Sequence, residues 1–312
     1  MFKPVVSLRT YSRVSWACLV SLYAIIVSGS LVRLTGSGLG CQDWPRCSDQ
    51  RFVDVSTSHA AVEQINRLFT GVVAFAVIAS VLLSQRLHPR QRSLTWLSFG
   101  LVGGVVLQIA IGGIVVVSGL HPAFNMAHYL VSVLLITIAF ELHCQVRRRQ
   151  RVEIGSTDFV PPAVGDPTVS RLTRRLTCSV ASLLFVVLIA GTVVTGSGPH
   201  AGDESAPRFR LSIQTATRIH SAAVWIALLS VIALFLRIRR SSFEWHLLSR
   251  ALESLTVAIV AQGFIGYFQY FAGVPAGIVA IHVAISVAVW ISMLTVLDSA
   301  RISGTWRQFV LD

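Results

Sequence analysis

Charge is what this 312-residue chain has least of: 13% of its residues are Asp, Glu, Lys or Arg, against 54% that are hydrophobic. With a mean hydropathy of +0.69, that shortage excludes an ordinary soluble domain and leaves a polytopic membrane protein. Acidic residues are scarcer than basic ones, 14 against 26, for a net charge of +12. The basic excess does not amount to a nucleic-acid surface, because the arginines lie in short loops between apolar runs and not together on one folded face. Cysteine is sparse too, and Cys18, Cys144 and Cys178 fall within or at the ends of apolar runs, where packing is their expected role. The first apolar run follows basic residues as a signal peptide would, but no small-residue cleavage site stands out. An uncleaved first helix is therefore expected.

Each apolar run approaches the roughly 20 residues needed to cross a bilayer as a helix. The runs predict eight spans, at about 14–33, 62–84, 94–118, 126–144, 176–196, 219–238, 250–271 and 278–299. Nineteen of the 26 Lys and Arg lie in the loops on the side of the N-terminus, which predicts that both termini are cytoplasmic. The stretch 151–175 contains Pro161, Pro162 and Pro167 and has no apolar periodicity. It reads as a cytoplasmic linker between an N-terminal half, 1–150, and a C-terminal half, 176–312.

The halves repeat one another. QIAIGGIVVVSGLHPAFNMAH, from Gln108 to His128, is echoed by QGFIGYFQYFAGVPAGIVAIH, from Gln262 to His282. In both, a glutamine in an apolar helix is followed by glycines (Gly112 and Gly113; Gly263 and Gly266), a turn with proline (Pro122; Pro275), and a histidine in the next helix. The separation of 154 residues is the same for both pairs, and it carries Asn66 onto His220. The fold class expected is all-α, with eight transmembrane helices in two tandem four-helix bundles related by duplication. Shared small residues could reflect like packing alone, but ionisable groups inside membrane helices point to a site.

The loop after the first span, LVRLTGSGLGCQDWPRC, places Cys41 and Cys47 on the predicted outer face. On an oxidising face two cysteines this close favour a small disulfide loop over a pair of free thiols. The second span opens with His59, Glu63, Asn66 and Arg67. At 100° per residue the first three form one polar stripe, and Arg67 is placed to pair with Glu63 or with a ligand carboxylate.

His220 and His282 head helices at the same end of the C-terminal half, and two imidazoles across an apolar bundle suit axial ligation of a haem iron. A structural zinc would want four ligands, and no cysteine or carboxylate nearby completes the set. The N-terminal half has His128 but Asn66 in place of the second histidine. That pocket is either singly ligated or uses His59, about 10.5 Å further out on the same face. Glu63 beside it is placed for proton transfer or for stabilising a cationic intermediate.

Taken together, GSGLGCQDWPRC, the second span with Glu63 and Arg67, the two Gln-to-Pro-to-His blocks and RIHSAA resemble the haem A synthase family across all eight spans. The resemblance implies oxidation of a methyl group of haem O to a formyl group by two successive hydroxylations, giving haem A for terminal oxidase assembly. It implies haem b in the C-terminal half on His220 and His282, and substrate haem in the N-terminal half with His128 as a ligand. Glu63 would be the essential acid and Cys41–Cys47 a disulfide near the pocket. Many members carry histidine where this chain has Asn66, so His59 is the candidate second ligand. A second cysteine pair that some members carry after helix 5 is absent here. Arg67, Gln108 and Gln262 are candidate haem contacts.

Partners implied are the lipid bilayer of a bacterial cytoplasmic membrane, haem O, an electron donor, and the haem O synthase, since haem O is too apolar to cross water unaided. A homo-oligomer is compatible with the sequence. Two other classes compete. A bis-haem transmembrane electron carrier would hold permanent haems in both pockets, and a transporter with duplicated halves would leave the histidines unexplained.

Overall fold

In the computed structural model of the chain, residues 6–153 and 169–301 are described. They form α1 (Leu8–Leu34), α2 (Ser58–Ser84), α3 (Arg92–Val117), α4 (Pro122–Glu153), α5 (Arg171–Ser197), α6 (Ile213–Ile238), α7 (Ser242–Phe271) and α8 (Ala276–Arg301). All eight are long and apolar enough to cross a membrane, and there is no strand among the described residues. The protein is therefore an all-helical integral membrane protein.

Local chemistry sets the helix ends. Ser7, Thr57, Ser212 and Ser241 each accept a backbone N–H of the first turn and so cap α1, α2, α6 and α7. The α3–α4 and α7–α8 turns are built alike. Gly119 and Leu120 in one, and Gly273 and Val274 in the other, are consecutive left-handed residues. Leu120 and Val274 send their N–H groups back to Val115 and Gln269, closing the helix C-termini in the Schellman manner. Glycine opens each reversal because φ near +60 to +80° costs it nothing.

Two compact units emerge. The first contains α1–α4 together with Thr195–Arg210, and the second contains the rest of α5 with α6–α8. In the first unit α1 packs on α2 and α4, and α3 packs on α2 and α4, so the helices close a ring with α2 and α4 on one diagonal. Its core includes a buried hydroxyl cluster in which Tyr11 meets Ser80 at 3.2 Å and Ser98 at 2.8 Å. Pairing of this kind satisfies polar groups that lipid cannot.

The loop Thr195–Arg210 follows α5 in sequence but roofs the first unit. Gly38 N–H donates to Gly202 C=O at 2.9 Å, and Ala201 and Ala206 pack with Leu120. In the second unit α7 packs along α8 and against α6, and Phe185 of α5 meets Trp290 of α8. Glu244 there accepts from Ser170 N–H and the Thr173 hydroxyl, and pairs with Arg237 at 3.2 Å.

The linker expected at 151–175 and both chain termini lie largely or wholly outside the described residues.

Candidate functional site

Three histidines share one seating. A methyl group on Gly112 would stand 3.5 Å from Cε1 of His128, one on Gly191 3.3 Å from that of His220, and one on Gly266 3.1 Å from that of His282. In each case a bare helix backbone makes room for the imidazole edge of a neighbouring helix. Residues 128, 220 and 282 lie about 9, 10 and 9 Å in from the first residues of α4, α6 and α8, at 1.5 Å per residue. His220 and His282 are close enough to interact electrostatically.

Glutamine ties two of these histidines to the preceding helix. Gln108 Nε2 donates to the C=O of His128 and Gln262 Nε2 to the C=O of His282, both at 2.9 Å. These glutamines therefore grip the backbone of the histidine, and their Oε1 atoms are buried without a partner. The Nδ1 atoms of His128, His220 and His282 are likewise buried with no partner in hydrogen-bonding geometry, although His220 faces the Val187 backbone. Buried polar atoms left open in an apolar bundle are costly, and imidazoles clustered this way fit a haem better than a closed metal site. No group of three or more His, Cys, Asp or Glu gathers to hold an ion among the described residues.

The position equivalent to His220 in the first unit is Asn66, whose Oδ1 accepts from Ser28 of α1 at 2.8 Å. His59 is exposed in the first turn of α2, and its Nδ1 is 2.9 Å from the Ser37 hydroxyl. The backbone C=O of His59 presses on Gly40, where a methyl group would come within 2.4 Å. Gly40 thus lets the loop before α2 lie directly on that helix.

Glu63 is 5% exposed and fully engaged. Its Oε2 accepts the Cys41 N–H at 2.8 Å, and its Oε1 accepts Arg67 Nε at 3.0 Å and the guanidinium again at 2.6 Å. Arg67 uses its remaining N–H groups on the Asp43 and Arg46 carbonyls. Of the two partners expected for Arg67, the structure shows Glu63. Cys41 and Cys47 form a disulfide, and Cys41 Sγ lies 3.8 Å from Gln64 Oε1. The six-residue step between the cysteines is thereby clamped onto one face of α2.

Two participants lay outside the sequence reading. Trp44, at the tip of the disulfide loop, stacks its indole on Gly113, where a methyl group would clash at 2.8 Å. Gly112 and Gly113 therefore carry a histidine and a tryptophan side by side, and the GG pair was the available signal. The second is the roof loop. Its Asp203 lies within electrostatic reach of His59, and its carboxyl is held below the ordinary 3.8 by hydrogen bonds from the Ser205 hydroxyl and N–H. No local pattern announces that contact.

Comparison with known proteins gives the family. Residues 12–294 match the family model described as "Cytochrome oxidase assembly protein". The chain is 33% identical over 129 residues to a "Heme A synthase" of Geobacillus thermodenitrificans, covering 38% of this chain and 40% of that one. It is 30% identical over 112 residues to that of Bacillus pumilus, covering 35% and 36%, and 28% identical over 178 residues to that of Shouchella clausii, covering 54% of each. The matches thus span roughly a third to a half of the relatives' own length. With the family model reaching across all eight helices, the chain belongs to the cytochrome oxidase assembly protein family, the haem A synthase family its motifs resemble.

Proposed function

We propose that the protein is a haem A synthase, oxidising a methyl group of haem O to a formyl group through two successive hydroxylations and loss of water from the geminal diol. The observation that carries this reading is the recurrence of one glutamine–glycine–histidine arrangement in both units. It supports two haem sites and an origin of the sequence halves, 1–150 and 176–312, by tandem duplication. His220 and His282 hold haem b, which supplies one-electron transfer when bound. His128 holds the substrate haem, and Gln108 and Gln262 orient the two histidine-bearing helices.

Glu63 works from beside the first pocket. Its carboxylate, fixed by Arg67 and the Cys41 N–H, offers negative charge where a cationic centre develops at the reacting carbon. The disulfide loop with Trp44 covers that pocket and excludes water. The site lies at the outer face of a bacterial cytoplasmic membrane with both termini cytoplasmic. Haem O arrives from its synthase, and the four electrons lost by the methyl group go to an external oxidant of the dioxygen class, whose reduction a separate electron donor completes.

One observation favours a second reading. Because every oxygen of Glu63 is already occupied by the loop and Arg67, the residue could be purely architectural, as a bis-haem electron carrier would need. Haems extracted from the purified full-length chain and separated by chromatography decide between them. The synthase yields haem b with haem O or haem A, and Glu63→Ala keeps haem b while losing haem A. Haem b alone in both pockets would select the carrier, whereas undiminished haem A in the variant would overturn the catalytic role of Glu63.

A further inference from the structure

We propose that Asn66 makes the pocket of the first unit a one-histidine site. His128 takes one face of the haem, and the opposite face is left to a small neutral ligand that the Asn66 amide hydrogen-bonds. This rests on the reading that the first unit binds a haem.

Register and topology carry the argument. α2 and α4 stand on the diagonal of the four-helix ring, with Asn66 against Ser28 of α1 and His128 against Gly112 of α3. Residue 66 lies about 12 Å in from the start of α2 and residue 128 about 9 Å in from the start of α4, a near match at 1.5 Å per residue. The second unit puts His220 and His282 at equivalent depths, on α6 and α8. Axial ligands must stand at one depth on either side of one iron, which is the relation Asn66 has to His128 and His59 does not. His59 is only about 1.5 Å into α2, exposed and tied through Nδ1 to Ser37. Reaching the level of His128 would require it to leave Ser37 and descend about two helical turns.

Asn66 itself is a poor iron ligand, and one end of its amide is already used. The Ser28 hydroxyl lies 2.8 Å from the Asn66 amide and 3.2 Å from the Ile25 C=O, so one end of the amide serves Ser28 and the other has no side-chain partner among the described residues. An amide end with no partner, on the helix diagonal to a histidine, is the arrangement that holds a small polar ligand on the far side of a haem.

The test uses the full chain purified in detergent, with carbon monoxide as probe. Expected are two haems per chain, one low-spin and inert, the other high-spin and carbon monoxide-binding once reduced. Asn66→His should turn the second species low-spin and abolish carbon monoxide binding. Asn66→Leu should keep binding but shift the C–O stretch upward through loss of the hydrogen bond. His59→Ala should leave the spectrum unchanged. Two low-spin haems, both inert in the wild type, would overturn the proposal alone, as would a low-to-high-spin change in His59→Ala. A single haem, retained in His128→Ala and lost in His220→Ala, would overturn the two-pocket reading and the proposal with it.

Discussion

The side-chain amide of Gln262 reaches across from α7 to the backbone carbonyl of His282 in α8 at 2.9 Å, and Gln108 does the same for His128 at the same distance. A glutamine that holds the carbonyl of a histidine fixes the height at which that histidine enters the bundle. Gln262→Leu should therefore loosen the α7–α8 pair by about 1 kcal/mol, typical of an interhelical hydrogen bond in a membrane protein. Thermal melting followed at the haem absorption should show a lower midpoint, with broadening confined to one haem.

The glycine seats give a sharper comparison. A methyl group at Gly266 would meet His282 at 3.1 Å, whereas Gly263, three residues earlier on the same helix, has open space around its Cβ position. Alanine at either place raises helix propensity by up to about 1 kcal/mol. Gly266→Ala should nonetheless weaken haem retention in the second unit, and Gly263→Ala should not. Haem-to-protein ratios after purification read the difference directly.

Arg67 secures the disulfide loop. Removing it leaves Glu63 buried and without the cation it pairs with, a loss on the order of 3 kcal/mol when the pair is shielded from water. Arg67→Ala should expose the loop, so that trypsin cuts after Arg46 or Arg51 much faster than in the wild type. Arg67→Lys should rescue only in part, since a lysine cannot bridge Glu63 and two carbonyls at once.

Acid should open the roof loop late. The Asp203 carboxyl is held below its ordinary value by Ser205, so its stabilising effect is complete above the unfolded value of 3.8 and fades as pH falls through the lower folded value. The protection of 199–210 against hydrogen exchange, taken relative to the intrinsic rate at each pH, should accordingly stay constant from neutral pH down to about 5. Asp203→Asn should exchange faster across that range, and the two proteins should converge in stronger acid.

Much of this was legible in the sequence. Eight apolar runs gave eight helices among the described residues, and the Gln-to-His blocks gave the congruent turns, because helix-forming periodicity and turn chemistry are local. Helix lengths were less readable. α4 runs on to Glu153, past the expected end at 144, since Glu141, Gln145 and Arg149 stack at four-residue spacing and keep the helix going beyond its apolar part. α7 begins at Ser242 instead of 250, because Ser241 caps it. The expected pairing of Cys41 with Cys47 is present. The grip of that loop on Glu63 and Arg67, the seat of Trp44 on Gly113 and the Ser28–Asn66 bond join residues far apart in sequence. No spacing rule anticipates them.

The roof loop also bears on how the protein is made. Because Gly202, Ala201 and Ala206 complete the cover of a bundle whose last helix ends at Glu153, the first four helices can be threaded into the bilayer long before their lid exists. The ribosome must finish α5, and that helix must cross the membrane, before the loop can reach the first unit. During that interval the first four helices lack their cover, and its arrival waits on the synthesis of α5.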